Sequence, residues 1–230
     1  MCSISGCRLS FKIQMKSYKV NRIDKKPLCT VEFSKAEVGN IDQIREESSS
    51  HHPPTAFALL HDKRNLYLRF DIDDQYVKSV HTELHSAVSQ DSCVEFFVRP
   101  KSDKGYFNFE TNAGGTLLAS YIEDWTRTPD GFRQFRKLPV ELCRKIEIIS
   151  SLPRTVYPEI KTPAKWHVAL KIPVVILEEF TGKLSCDSGS LWRANFYKCA
   201  GKTSHPHWLS WSPVKKLNFH VPDEFGELEF

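Results

Sequence analysis

Apolar residues along this chain recur mainly at every second position, in short runs broken by turn residues. Residues 66–72 set the pattern: Leu66, Leu68, Phe70 and Ile72 share one face, while Tyr67, Arg69 and Asp71 share the other. Residues 56–60 precede them, and the intervening His-Asp-Lys-Arg-Asn predicts a hairpin. A second pair is expected at 94–98 and 106–112. Pro100 ends the first of these because it cannot donate to a ladder, and Lys104-Gly105 completes the turn. Gly114-Gly115 ends the second, and residues 116–121 return as another strand. Residues 17–23, 145–150, 166–172, 191–199, 208–212 and 228–230 read as further strands, and 29–33 as a short apolar run. Residues 46–54 are a polar, Pro-containing loop, and 124–140, with Trp125, Pro129, Gly131 and Pro139, read as irregular. Only 173–180 reads as a helix, with Pro173 in its first turn and Gly182 at its stop. The fold class expected is all-β, an antiparallel β-sandwich of two packed sheets with one short helix. A single domain over residues 15–230 is expected, with residues 1–14 a loose, disordered extension before Met15.

Composition narrows the function classes. A net charge of +4, from 32 basic and 28 acidic residues without a basic cluster, argues against a nucleic-acid partner. No apolar run approaches the roughly 18 residues of a membrane-spanning helix, so no membrane partner is expected. The first residues lack the apolar core of a signal peptide, which favours a cytoplasmic location. The seven cysteines are irregularly spaced without a Cys-x-x-Cys, which fits free thiols better than a zinc ribbon or disulfide framework. A monomer or weak oligomer is expected.

Candidate chemistry comes from polar residues set inside aromatic strands. Period two places Val94, Phe96 and Val98 on one face and Glu95, Phe97 and Arg99 on the other. Phe107 and Phe109 then face the core, and Asn108, Glu110 and Asn112 share the face of Glu95. In residues 191–199, Arg193, Asn195 and Tyr197 alternate with Trp192, Ala194 and Phe196; were this strand a neighbour, Arg193 could pair with Glu95 or Glu110. Trp208 and Trp211, three apart, point to different faces, so at most one can face a ligand. Trp166 and Trp192 read as core, and His51-His52 and His205-Pro206-His207 read as ordinary surface residues.

The strings DSCVEFFVRP, YFNFETNAGG, WRANFYKC, HWLSWSP and FHVPDEFGELEF, in that order, resemble the family 9 carbohydrate-binding modules, and most nearly their family 9-like, often stand-alone subgroup. The likeness runs from about Tyr18 to Phe230. It implies a two-sheet sandwich that holds a sugar ring between aromatic side chains at one edge, with polar groups on its hydroxyls. Under that resemblance Glu95 falls at a ligand-contacting acid, Asn108 near a polar contact that is an arginine in the family, and Phe219 near one of two stacking tryptophans. The other stacking tryptophan has no counterpart, since Ala87, Val88 and Ser89 stand there; Trp125, Trp211 and Tyr106 are candidates to replace it. Calcium, also implied by the family, finds no Asp-rich loop here, Asp71, Asp73 and Asp74 reading as a hairpin end, so no metal or cofactor is expected. The chemistry suits a sugar: an aromatic ring covers the apolar C–H face of a pyranose, and Asn, Glu, Arg or Tyr bind its hydroxyls. The expected ligand-binding set is therefore Glu95, Asn108, Glu110, Arg193, Asn195 and Tyr197, with Trp125, Trp211 and Phe219 for stacking. Non-catalytic carbohydrate binding, linked to carbohydrate catabolism, is the leading reading. A structural or protein-interaction sandwich that has lost sugar binding is the second. A glycoside hydrolase using Glu95 and Glu110 is the third.

Overall fold

The alternation of apolar and polar residues is realised as two sheets packed face to face in a computed structural model that describes residues 15–129 and 131–230. The expectation for residues 1–14 lies outside the described residues. The first sheet runs Ser17–Lys19, Gly226–Glu229, Leu191–Cys199, Cys93–Arg99, Tyr106–Asn112, Leu117–Thr128, Gly131–Lys137. Trp208–Ser210 lies against one end of Leu191–Cys199 and carries Gln43–Ile44 on its far side. The second sheet runs Glu147–Ser150, Ala164–Pro173, Asn65–Asp74, Thr55–His61, Asn21–Arg22, with Gly39–Asn40 also on Thr55–His61. Val77–Ser79 and Val156–Ile160 form a small separate ribbon. Among the described residues, pairing is antiparallel except for Ser17–Lys19 on Gly226–Glu229 and Asn21–Arg22 on Thr55–His61, which are parallel. Both exceptions come from one segment near the N-terminus that crosses from the first sheet to the second.

The inner faces meet in one apolar core. Its centre is aromatic: Phe57 stacks on Phe196 at 3.6 Å between ring centroids, Phe96 on Phe196 at 5.0 Å, and Trp211 and Tyr18 close the cluster edge-on to each other. Trp166 and Trp192 are buried as their alternation requires. The five described cysteines are free thiols. Among the described residues no helix is long and apolar enough to cross a membrane.

The helix at Val174–Thr181 starts after Pro173 and stops at Gly182, whose φ of 72° suits glycine. A second, single-turn helix at Val140–Cys143 follows Pro139, at the end of a stretch whose composition suggests irregular structure. The described residues in the rest of that stretch are mostly strand. Leu117 continues in one strand to Thr128, and Gly131–Lys137 returns beside it. Register shifts between Ile122 and Asp124 and between Asp124 and Arg127 break the two-residue period and hide this hairpin in the sequence. Arg133, Arg136 and Lys137 charge the returning edge strand, which keeps it from pairing with another chain. The apolar run at 29–33 forms 3-10 turns, Leu28–Thr30 and Phe33–Lys35, too tightly wound to join a sheet.

Candidate functional site

The outer face of the first sheet is where the polar residues of its central strands gather. Glu95 lies directly opposite Glu110 on one neighbouring strand and Tyr197 on the other. Both acids are buried, at 3% and 7% exposure. Above them lies a cavity of about 210 Å³ lined by Ser89, Glu95, Glu110, Arg127, Cys199, Trp208, Leu217, Asn218, Phe219 and His220. The acids and Cys199 come from strands and fix the floor, while residues 217–220 come from the loop that leads to the last strand.

Two facing carboxyls without solvent resist a shared negative charge. Burial pushes Glu110 up to about 7, against the opposing hydrogen bonds from Asn108 and Ser89. Glu95 is driven up by burial first, then by the Cys199 thiol and Glu110. Near neutral pH the floor therefore holds a protonated carboxyl, able to donate, beside a group able to accept. Cys199 Sγ donates to Glu95 Oε1 at 3.0 Å. Burial also pushes His220 down to about 3, so its imidazole is neutral, with Nδ1 2.7 Å from the Tyr106 hydroxyl.

The aromatic walls are held by identifiable contacts. The Phe219 ring stacks on Tyr197 at 4.0 Å and 15°, and the Tyr197 hydroxyl donates to the Phe219 carbonyl at 3.0 Å. Trp208 is half-buried and sits opposite Cys199 in the sheet register. Its backbone N–H donates to Ser48 Oγ at 2.9 Å, and its carbonyl accepts from the Arg45 N–H at 3.0 Å. Arg127 stands at the rim, its guanidinium 4.2 Å over Phe132 and 3.3 Å from Asn218 Oδ1.

Of the residues expected from sequence, the structure brings Glu95, Glu110 and Phe219 to this cavity. Asn108 and Tyr197 stand behind it: Asn108 Nδ2 donates to Glu110 Oε1 at 2.8 Å, and Tyr197 carries Phe219. Four others lie elsewhere. Arg193 lies opposite Arg99 on one neighbouring strand and Glu227 on the other, away from Glu95 and Glu110, because the register sets it four residues along its strand from the partner of Glu95; it donates to the Phe225 carbonyl. Asn195 is wholly buried, its amide bridging the carbonyl and N–H of Ser212 at 3.0 and 2.8 Å. Trp125 leans on Tyr106 at 6.0 Å with the Arg99 guanidinium 5.2 Å away, outside the cavity lining. Trp211 is 4% exposed in the core beside Phe57 and Phe196, so Trp208 is the tryptophan that faces the cavity. Sequence reading also missed Ser89, Arg127, Cys199, Leu217, Asn218 and His220. For Cys199 the signal was available, since it shares the face of Tyr197.

Two of the histidines expected at the surface are instead tied into the interior. His207 is fully buried, with Nε2 2.7 Å from Lys198 Nζ, and His51 Nε2 lies 2.7 Å from Asp74 Oδ1. Lys198 Nζ is 3.6 Å from Asp74 Oδ2, so an ion pair sits in the interior. Asp74 is consequently no hairpin-end acid, whereas Asp71 and Asp73 pair with Arg69 at 2.7 Å and Lys165 at 3.5 Å. Those last pairs border a larger cavity of about 660 Å³, whose remaining acid, Asp42, pairs with Lys16 at 2.9 Å, so its acids are already matched by cations. The smaller cavity instead presents the paired acids to whatever enters it.

No curated protein matches the chain. Among solved structures it is similar to a protein of Bacteroides uniformis ATCC 8492 solved as a candidate carbohydrate-binding protein, at 27% identity over 94% of this chain and 99% of that one, with a TM-score of 0.81. Its fold is also similar to a family 9 carbohydrate-binding module from Caldicellulosiruptor kristjanssonii in complex with glucose, at 14% identity, 93% and 95% coverage and a TM-score of 0.59. A complex of a family 9 module from the same organism with cellotriose gives 15% identity, 93% coverage of each chain and a TM-score of 0.57. The profile of carbohydrate-binding family 9 matches residues 26–230, nearly the whole described chain. The chain belongs to carbohydrate-binding family 9.

Proposed function

We propose that this chain binds carbohydrate without cleaving it, taking one sugar ring into the cavity above Glu95 and Glu110. The observation that carries this reading is the meeting of an aromatic wall and a hydroxyl-binding floor in one small space: Trp208 and Phe219 above, the two facing acids below. Trp208 and Phe219 cover apolar C–H faces, and the acids, His220 and Arg127 serve the hydroxyls. At about 210 Å³ the cavity is smaller than the roughly 300–1,000 Å³ usual for drug-sized ligands, which favours a single terminal ring over an enclosed chain.

Hydrolysis is disfavoured by the same geometry. Glycosidase carboxyls flank the scissile bond, but Glu95 and Glu110 are cross-strand neighbours in one floor, and no other acid among the described residues lines the cavity. A panel of mono- and oligosaccharides, read by calorimetry and by tryptophan fluorescence, tests the proposal. Saturable binding is expected, with Trp208→Ala weakening it about tenfold, the equivalent of roughly 1.4 kcal/mol of lost stacking. Absence of binding by every sugar at millimolar concentration, or binding indifferent to Trp208→Ala, would overturn it.

A further inference from the structure

Beneath the cavity the sheet brings together three metal-ligating side chains that the sequence keeps far apart. Cys93 and Cys199 are direct cross-strand partners, and Glu95 follows Cys93 by two residues on the same face. The Cys199 and Glu95 side chains are 104 residues apart in sequence yet hydrogen-bonded. The two sulfurs and a Glu95 oxygen all lie within 4.8 Å of one another. Tetrahedral zinc with Zn–S bonds of about 2.3 Å needs sulfurs about 3.8 Å apart, so small rotamer changes suffice to close the set.

We propose that Cys93, Cys199 and Glu95 form a binding site for a thiophilic divalent cation, with zinc the best match. Two sulfurs and one oxygen are a donor set that zinc favours over calcium or magnesium. All three ligands stand on adjacent central strands, so their backbones are fixed before a metal arrives. Cys199 and Glu95 line the cavity, which provides both an entry path and an open fourth position for water. Glu110 lies opposite Glu95 in the same cavity floor. Binding exchanges one M²⁺ for the two thiol protons and the proton of Glu95, leaving the ligated group with one net negative charge. All three groups are held protonated without metal, burial acting on each, and Lys198, itself paired with Asp74, opposes this only in part, so binding is expected to tighten as pH rises. The site does not depend on sugar binding, and a negative sugar panel would leave it standing.

Co²⁺ added to the reduced, folded protein under anaerobic conditions is the probe. The expected result is a sulfur-to-cobalt charge-transfer band with the visible intensity of a tetrahedral ion, bleached by stoichiometric Zn²⁺. The band should vanish in Cys93→Ser and Cys199→Ser and persist in Cys29→Ser, Cys143→Ser and Cys186→Ser. A parallel measurement needs no variant: Zn²⁺ should slow alkylation of Cys93 and Cys199 in the native protein at least tenfold, read by peptide mass spectrometry, and leave Cys29 unchanged. A thiolate band insensitive to Cys199→Ser, no band at all, or equal alkylation of Cys199 with and without Zn²⁺ would each overturn the assignment.

Discussion

Replacing Glu110 with glutamine should stabilise the protein in mild alkali and leave it unchanged in acid. The glutamine side chain can keep the hydrogen bond that Asn108 Nδ2 gives to Oε1 but cannot ionise opposite Glu95. In the native protein Glu110 is raised from 4.5 to about 7, chiefly by burial. Below pH 4.5 it is protonated in both folded and unfolded chains, and its full contribution to stability is present. Between pH 4.5 and 7 the unfolded chain gives up a proton that the folded chain keeps. The unfolded state then binds fewer protons, so stability falls by about 1.4 kcal/mol per pH unit. Above pH 7 both states are ionised and the loss levels off at up to about 3 kcal/mol. Glu110→Gln removes this titration and lowers the charge felt by Glu95. Urea denaturation at about pH 4 should therefore find the two proteins within experimental error. At about pH 8 the variant should be more stable by up to about 3 kcal/mol, or about 6–12 °C in Tm for a chain of this size. Titrating groups away from Glu110 are common to both proteins and cancel in the difference, while Glu95, relieved of the Glu110 charge, shifts stability in alkali in the same direction. A variant less stable than the native protein in mild alkali, or a stability difference independent of pH, would refute the reasoning.

Three further outcomes follow from the packing. Trp211→Ala should cost about 3–5 kcal/mol in urea denaturation because it empties the core beside Phe57 and Phe196, whereas Trp208→Ala should cost less than about 1.5 kcal/mol. Lys198→Met should destabilise by about 3–5 kcal/mol, since it leaves the buried Asp74 carboxylate without its cation, and Asp74→Leu added to it should recover part of the loss. Asp74 itself, held down to about 2 despite its burial by Lys198 and the His51 hydrogen bond, supplies stability present above pH 3.8 and lost as pH falls toward 2. Asp74→Asn should correspondingly flatten the acid limb of a stability profile followed by circular dichroism.

The sandwich is legible in the sequence because its core strands alternate cleanly. Parity alone assigns Glu95, Phe97, Asn108 and Glu110 to one face, and the observed register places them there. Parity fixes the face but not the level along a strand. Arg193 shares the face of Glu95 and still misses it, because antiparallel pairing puts Arg193 opposite Arg99 and Tyr197 opposite Glu95. Trp211 is a plausible stacking residue only if 208–212 form one continuous strand. The strand ends at Ser210, and the Trp211 ring turns inward onto Phe196 while its backbone N–H donates to the Phe196 carbonyl at 2.8 Å. Arg127 escapes notice because register shifts in its strand destroy the period that would have placed it. Residues 217–220 reach the cavity through loop geometry, which no alternation encodes. The Cys93–Cys199 pairing needs the strand order of the sheet, and spacing between distant cysteines carries no trace of it.

The attachment of Trp208 has an evolutionary consequence. The cavity floor belongs to the middle of a wide sheet, where a change of side chain disturbs neighbours on both sides. Trp208 instead hangs from a three-residue strand, tied to Gln43–Ile44 and to hydrogen bonds with Arg45 and Ser48. Residues 43–48 lie outside the central ladder and carry little of the core. Variation in that short strap can tilt or withdraw the aromatic wall while the acids beneath keep their places. Ligand preference in descendants of this chain can therefore drift by mutation of residues that never touch the ligand, with the scaffold that makes the fold left intact.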